Sequence, residues 1–126
     1  MKNEKKNSLA NSFGYAFGGI WTGIRKERNM KIHCLAIICV TLAGTLFHIT
    51  AVEWCICLLL FALVASLELV NTAVEAVVDL VTEEKKPLAK IAKDTAAGAV
   101  LFSAIISVLA GCIIFAPYLL ELLGKL

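Results

Sequence analysis

Polar and apolar positions alternate along this chain in long blocks. Ile32 to Val52 contains no Asp, Glu, Lys or Arg, and neither does Thr95 to Leu120. Between them, Trp54 to Leu80 is apolar except at Glu68, Asn71, Glu75 and Asp79. Crossing about 30 Å of hydrocarbon takes roughly 20 apolar residues in a helix. The blocks show no period-2 alternation, and within lipid only a helix or a closed barrel satisfies its backbone groups. The pattern therefore predicts three transmembrane helices, at about 32–48, 53–80 and 95–120, within one all-α domain spanning 1–126.

The first block has a different rhythm. After the basic start at Lys2, Lys5 and Lys6, apolar residues recur at Leu9, Phe13, Phe17, Ile20 and Ile24. Steps of four, four, three and four mark one helical face. Arg25, Lys26 and Arg28 follow. The segment 8–29 reads as an amphipathic helix lying in the headgroup plane. Its Gly14, Gly18, Gly19 and Gly23 lower helix propensity but allow close approach of a neighbour or ligand. The first apolar run lies too far into the chain for a cleavable signal peptide. Pro87 interrupts the 81–94 connection, helix resumes from about Leu88, and Pro117 is expected to bend or end the last helix.

Composition supports this reading. Of 126 residues, 60% are hydrophobic and 17% charged, and the mean hydropathy is +0.84. A chain this small cannot bury so much apolar surface in one water-facing core. A net charge of +2 with so few charged residues excludes both disorder and a basic nucleic-acid binder. The five cysteines lie in apolar runs without zinc spacing and read as small apolar residues. His33 and His48 sit at the two ends of the first membrane helix and read as interfacial.

Charge also predicts orientation. Residues 1–31 carry seven Lys and Arg, the 81–94 connection carries Lys85, Lys86, Lys90 and Lys93, the 48–53 turn none and the C-terminal end only Lys125. The positive-inside bias places the N-terminus and the 81–94 connection in the cytoplasm, and the C-terminus outside. Trp54 would anchor at the outer interface.

The candidate chemistry lies in the middle helix. Glu68, Asn71, Glu75 and Asp79 are spaced by three, four and four. At about 100° per residue they fall within an arc of about 80° and span about 16 Å along the axis. Ionisable groups inside a membrane helix are costly and mark function by default. Glu75 and Asp79 fall at headgroup level, where a hydrated hard cation takes oxygen ligands. Glu68 lies one to two turns deeper, where a shielded carboxylate is suited to accept a proton from a hydroxyl. Glu27, among Arg25, Lys26 and Arg28, faces the same membrane surface, as do Lys93 and Asp94 at the start of the last helix. No P-loop and no GxGxxG is present.

The run Glu68-Leu-Val-Asn-Thr-Ala-Val-Glu-Ala-Val-Val-Asp79 resembles the signature of the prokaryotic diacylglycerol kinase family, which includes undecaprenol kinases. The likeness continues through Ala92-Lys93-Asp94 and Ala99-Val100-Leu101 and covers essentially the whole chain. It implies an integral-membrane lipid kinase working as a homotrimer, with active sites shared between neighbouring protomers at the cytoplasmic surface. By resemblance Glu68 is the general base and Glu27 and Glu75 hold Mg²⁺. Nucleotide contacts fall on Tyr15, Lys93, Asp94 and the connection residues Glu84, Lys85 and Lys86. That connection departs from the Glu-Tyr-His common in the family, keeping only its Glu. Trp21 also stands where the enterobacterial branch has Arg.

The expected reaction is γ-phosphoryl transfer from MgATP to a lipid hydroxyl, with Asn71 orienting Glu68 or a phosphate and Asp79 fixing a basic partner. The stretch from Pro87 to Asp94 and on to Leu101 resembles the Gram-positive branch and favours undecaprenol, with diacylglycerol the alternative acceptor. Two other classes compete: a small cation-coupled transporter subunit, and a non-catalytic assembly protein using its glycines as packing seams.

Overall fold

The computed structural model of the protein describes residues 8–126; the basic start at Lys2, Lys5 and Lys6 lies outside the described residues. The described chain is helical from end to end: α1 (Leu9–Lys26), α2 (Arg28–Phe47), α3 (Ala51–Val81) and α4 (Pro87–Gly124). The last three are long and apolar enough to cross a membrane. At 1.5 Å per residue, α3 runs about 46 Å and α4 about 57 Å, well beyond the hydrocarbon thickness. Both therefore carry their polar ends out of the apolar layer.

Local chemistry sets the boundaries. Ser8 caps α1, its hydroxyl accepting from Asn11 N at 3.3 Å. α1 and α2 are separated only by Glu27, which adopts an extended conformation and serves as C-cap of one helix and N-cap of the next. The surface helix thus ends at Lys26, short of the expected position 29. α2 ends at His48, which takes the left-handed conformation (φ 52°) while its N–H bonds back to Gly44 and Thr45 carbonyls. Thr50 and Glu53 form a reciprocal capping box that starts α3 at Ala51.

Within the 81–94 connection helix resumes at Pro87, one residue before the expected Leu88. Only residues 82–86 are non-helical, because Pro87 occupies the first turn of α4, where its missing N–H costs nothing. Nor does Pro117 end α4: the helix continues to Gly124, about two further turns. Proline is tolerated in a membrane helix, where neighbouring groups can satisfy the freed carbonyl.

Packing concentrates where α2, α3 and α4 meet. Ile49, Cys57 and Ile114 form a buried cluster, with Phe47, Phe115 and Tyr118 against it. Tyr118 donates to Glu53 Oε2 at 2.7 Å, tying α4 to the cap of α3. The Trp54 ring lies on Gly44, so this side chain packs between helices. Large apolar residues such as Leu35, Leu59, Phe102 and Ile113 remain exposed, as expected of surfaces facing lipid or a neighbouring chain. All five cysteines are free.

Candidate active site

α3 presents its polar face as a gradient of burial. Glu68 is 1% exposed and Asn71 5% exposed, Glu75 is half-buried and Asp79 is exposed. Each step of three or four residues moves one turn toward the end of the helix on the same face. Asn71 Nδ2 donates to Glu75 Oε1 at 3.1 Å. Two atoms of this row are buried without a hydrogen-bond partner: Glu68 Oε1 and Asn71 Oδ1. An orphaned buried acceptor is costly and calls for an explanation, such as a missing ligand or a catalytic role.

Both side chains line a cavity of about 230 Å³, bordered also by Asn29 and His33 of α2 and Val100 and Ala104 of α4. Glu75 lies two turns from Glu68 on the same face of α3, and His33 borders the cavity at Glu68. Glu27 holds its place because it is the single residue between α1 and α2. α1 is drawn close by Gly23, which is buried against Leu69; a Cβ there would lie 2.5 Å from Leu69 Cδ2. Surface helix and carboxylate row are thus joined next to Glu68.

On the polar end of α4, Lys93 Nζ donates to Asp79 Oδ1 at 2.5 Å. Asp94 is paired with Lys90 one turn earlier. Glu84 and Lys86 pair with each other at 3.5 Å in the 82–86 connection. Tyr15 is 67% exposed on α1. So the fold assembles Glu68, Asn71, Glu75, Glu27 and Lys93 around one end of the bundle. Glu84, Lys85, Lys86 and Asp94 lie exposed around it, while Tyr15 is exposed on α1.

Oxygen donors dominate this end, the chemistry a hard cation requires. Among the described residues, no three of His, Cys, Asp and Glu stand together as a complete metal cage. One or two carboxylates with the remaining positions open suit Mg²⁺, which keeps waters and takes phosphate oxygens. The residues present therefore fit a cation delivered with a nucleotide.

Two contributors escaped the sequence reading. His33 and Asn29 line the cavity at Glu68. Their spacing of four, which puts two polar groups on one face of α2, was the available signal.

Known proteins similar to this chain identify its family. The family model for prokaryotic diacylglycerol kinase matches residues 14–115. Undecaprenol kinase of Bacillus subtilis (strain 168) is 47% identical over 113 residues, covering 90% of this chain and 92% of that protein. Diacylglycerol kinase of Synechocystis sp. is 44% identical over 117 residues, covering 92% of this chain and 67% of that protein. Diacylglycerol kinase of Escherichia coli (strain K12) is 28% identical over 101 residues, covering 80% and 83%. The transporter reading finds no support in these relatives. The family match over residues 14–115, together with the undecaprenol kinase relative at 47% identity and three helices long enough to span a membrane, shows that the chain belongs to the prokaryotic diacylglycerol kinase family: it is a membrane enzyme that phosphorylates lipid.

Proposed function

We propose that the chain transfers the γ-phosphoryl group of ATP to the hydroxyl of undecaprenol, giving undecaprenyl phosphate. The orphaned Glu68 Oε1, buried and facing a cavity, carries the reading. A lipid hydroxyl there donates to Glu68 and attacks the γ-phosphorus in line. The new lipid O–P bond forms, the bridging P–O bond to the β-phosphate breaks, and the hydroxyl proton passes to Glu68. ADP leaves with the electron pair of the broken bond.

Phosphoryl transfer needs positioning and charge neutralisation more than covalent help. Glu27 and Glu75 would hold Mg²⁺, which supplies charge neutralisation on the phosphates. Asn71 keeps Glu75 turned along the helix. Lys93 offsets charge on the transferring group, with Asp79 holding the ammonium near Glu75. Tyr15, Glu84, Lys85, Lys86 and Asp94 surround the nucleotide. The chain works as a homotrimer with its N-terminus and the 82–86 connection in the cytoplasm, where ATP is found, and its C-terminus outside.

Undecaprenol is put ahead of diacylglycerol because the relative at 47% identity is an undecaprenol kinase and the stretch from Pro87 to Leu101 resembles that branch. The larger cavity of the bundle, about 520 Å³, is lined almost wholly by apolar side chains. Such a wall suits the hydrocarbon chain of a lipid alcohol.

The test is a side-by-side assay of the purified protein with labelled ATP and both lipids. Undecaprenol should be the faster acceptor, and Glu68→Gln should fold normally while turning over about 10² more slowly or worse. Faster phosphorylation of diacylglycerol would reverse the substrate order. Undiminished turnover in Glu68→Gln would remove the base assignment.

A further inference from the structure

The two cavities are not independent. The apolar groove between α2, α3 and α4 and the polar cavity at Glu68 share two lining residues, His33 and Ala104. His33 is half-buried and contributes the polar group at that junction. Away from it the groove is bounded by residues such as Val40, Phe61, Val64 and Phe115. On the other side of it lie two buried acceptors without partners, Glu68 Oε1 and Asn71 Oδ1. An occupant satisfying both spaces must be hydrocarbon along one part and a hydrogen-bond donor at its end. That is the chemistry of a long-chain alcohol.

We propose that His33 binds the hydroxyl end of the lipid alcohol where it turns out of the apolar groove into the Glu68 cavity, which rests on the lipid-kinase reading above. The hydrocarbon chain occupies the groove. The hydroxyl donates to Glu68 Oε1 and accepts from the His33 ring N–H. An alcohol oxygen can do both at once, whereas two acceptors alone could fix only its proton. His33 thereby sets where the oxygen stands before transfer, and it acts on the lipid without touching the nucleotide end of the bundle.

Kinetics of three variants of the full-length protein in detergent micelles, with undecaprenol and ATP varied separately, test this. Losing one hydrogen bond to substrate corresponds to a factor of about ten in affinity. His33→Leu should raise the lipid KM about tenfold and leave the ATP KM unchanged, which also reports a folded enzyme. His33→Gln keeps an N–H donor and should recover most of the loss. Gly111 lines the groove with open space beside its Cα, so Gly111→Leu should also raise the lipid KM without altering the ATP KM.

Equal lipid KM in wild type and His33→Leu overturns the assignment of His33. So does a parallel rise of both KM values, which would make the residue structural. If Gly111→Leu changes the oligomer's size on a sizing column and leaves the lipid KM alone, the groove belongs to a second copy of the chain, and the proposal falls. A wild-type protein that phosphorylates no lipid alcohol fails the underlying reading instead, and this outcome is distinct from the others.

Discussion

Asn71 donates to Glu75 across one turn of α3, at 3.1 Å, while its own carbonyl oxygen stays unpaired beside Glu68. One side chain thus links the deep carboxylate to the half-buried one. The amide holds Glu75 in one orientation and leaves the acceptor to face the cavity.

Removing that link should act on the cation before it acts on the fold. Outer partners that orient a metal-binding carboxylate typically matter by about 10–100-fold in metal affinity. Asn71→Leu is expected to shift the Mg²⁺ dependence of phosphorylation by that factor, read from a magnesium titration at saturating lipid. An unchanged titration would mean that Glu75 needs no such orientation.

Gly23 lets α1 lie against α3 one residue from the buried Glu68. A β-branched side chain there meets Leu69 Cδ2 and has to displace it. Overpacking of this kind costs about 1–3 kcal/mol. Gly23→Val should lower stability by that amount and reduce activity, and Leu69→Ala in the same chain should restore part of both. Thermal unfolding in detergent with a parallel turnover assay checks the pair; no recovery in the double variant would show that the two positions are uncoupled.

The Lys93–Asp79 pair bridges the polar ends of α4 and α3 but is substantially exposed, with side chains 38% and 63% accessible. Exposed pairs contribute about 0–1 kcal/mol. Asp79→Asn should therefore leave the unfolding temperature nearly unchanged while altering the KM for ATP, because Lys93 loses its fixed position. A large loss of stability with unaltered ATP kinetics would make the pair a structural tie only.

At the opposite end, two substitutions should act in opposite directions. Gly44→Ala puts a methyl 2.9 Å from the rigid Trp54 ring and 3.0 Å from Ile49 Cδ1, so stability should fall by about 1–3 kcal/mol. His48 holds a left-handed conformation that costs an L-residue about 1–2 kcal/mol, so His48→Gly should raise stability by up to about 1 kcal/mol. Both leave the carboxylate face untouched, and neither should change the ATP KM.

Much of this molecule could be read from one dimension. The apolar blocks identify three spanning helices because hydrocarbon enforces both length and internal hydrogen bonding. The spacing of Glu68, Asn71, Glu75 and Asp79 places them on one face because helical geometry is local. Their order of burial also follows, since each step along the helix is a step toward water.

What the tertiary structure decided was which neighbours complete that face. His33 looked interfacial because its depth in the membrane can be counted, whereas the direction it faces depends on how α2 packs against α3. Asp79 acquired its partner only when α4 folded back beside α3 and brought Lys93 to it, fourteen residues away in the chain. Pro117 could bend or end its helix by local chemistry alone, and in the fold α4 continues through it. Periodicity along a single helix is a property of the backbone and can be read from the chain. The joining of two cavities at His33 depends on the relative rotation of three helices, which no local pattern encodes.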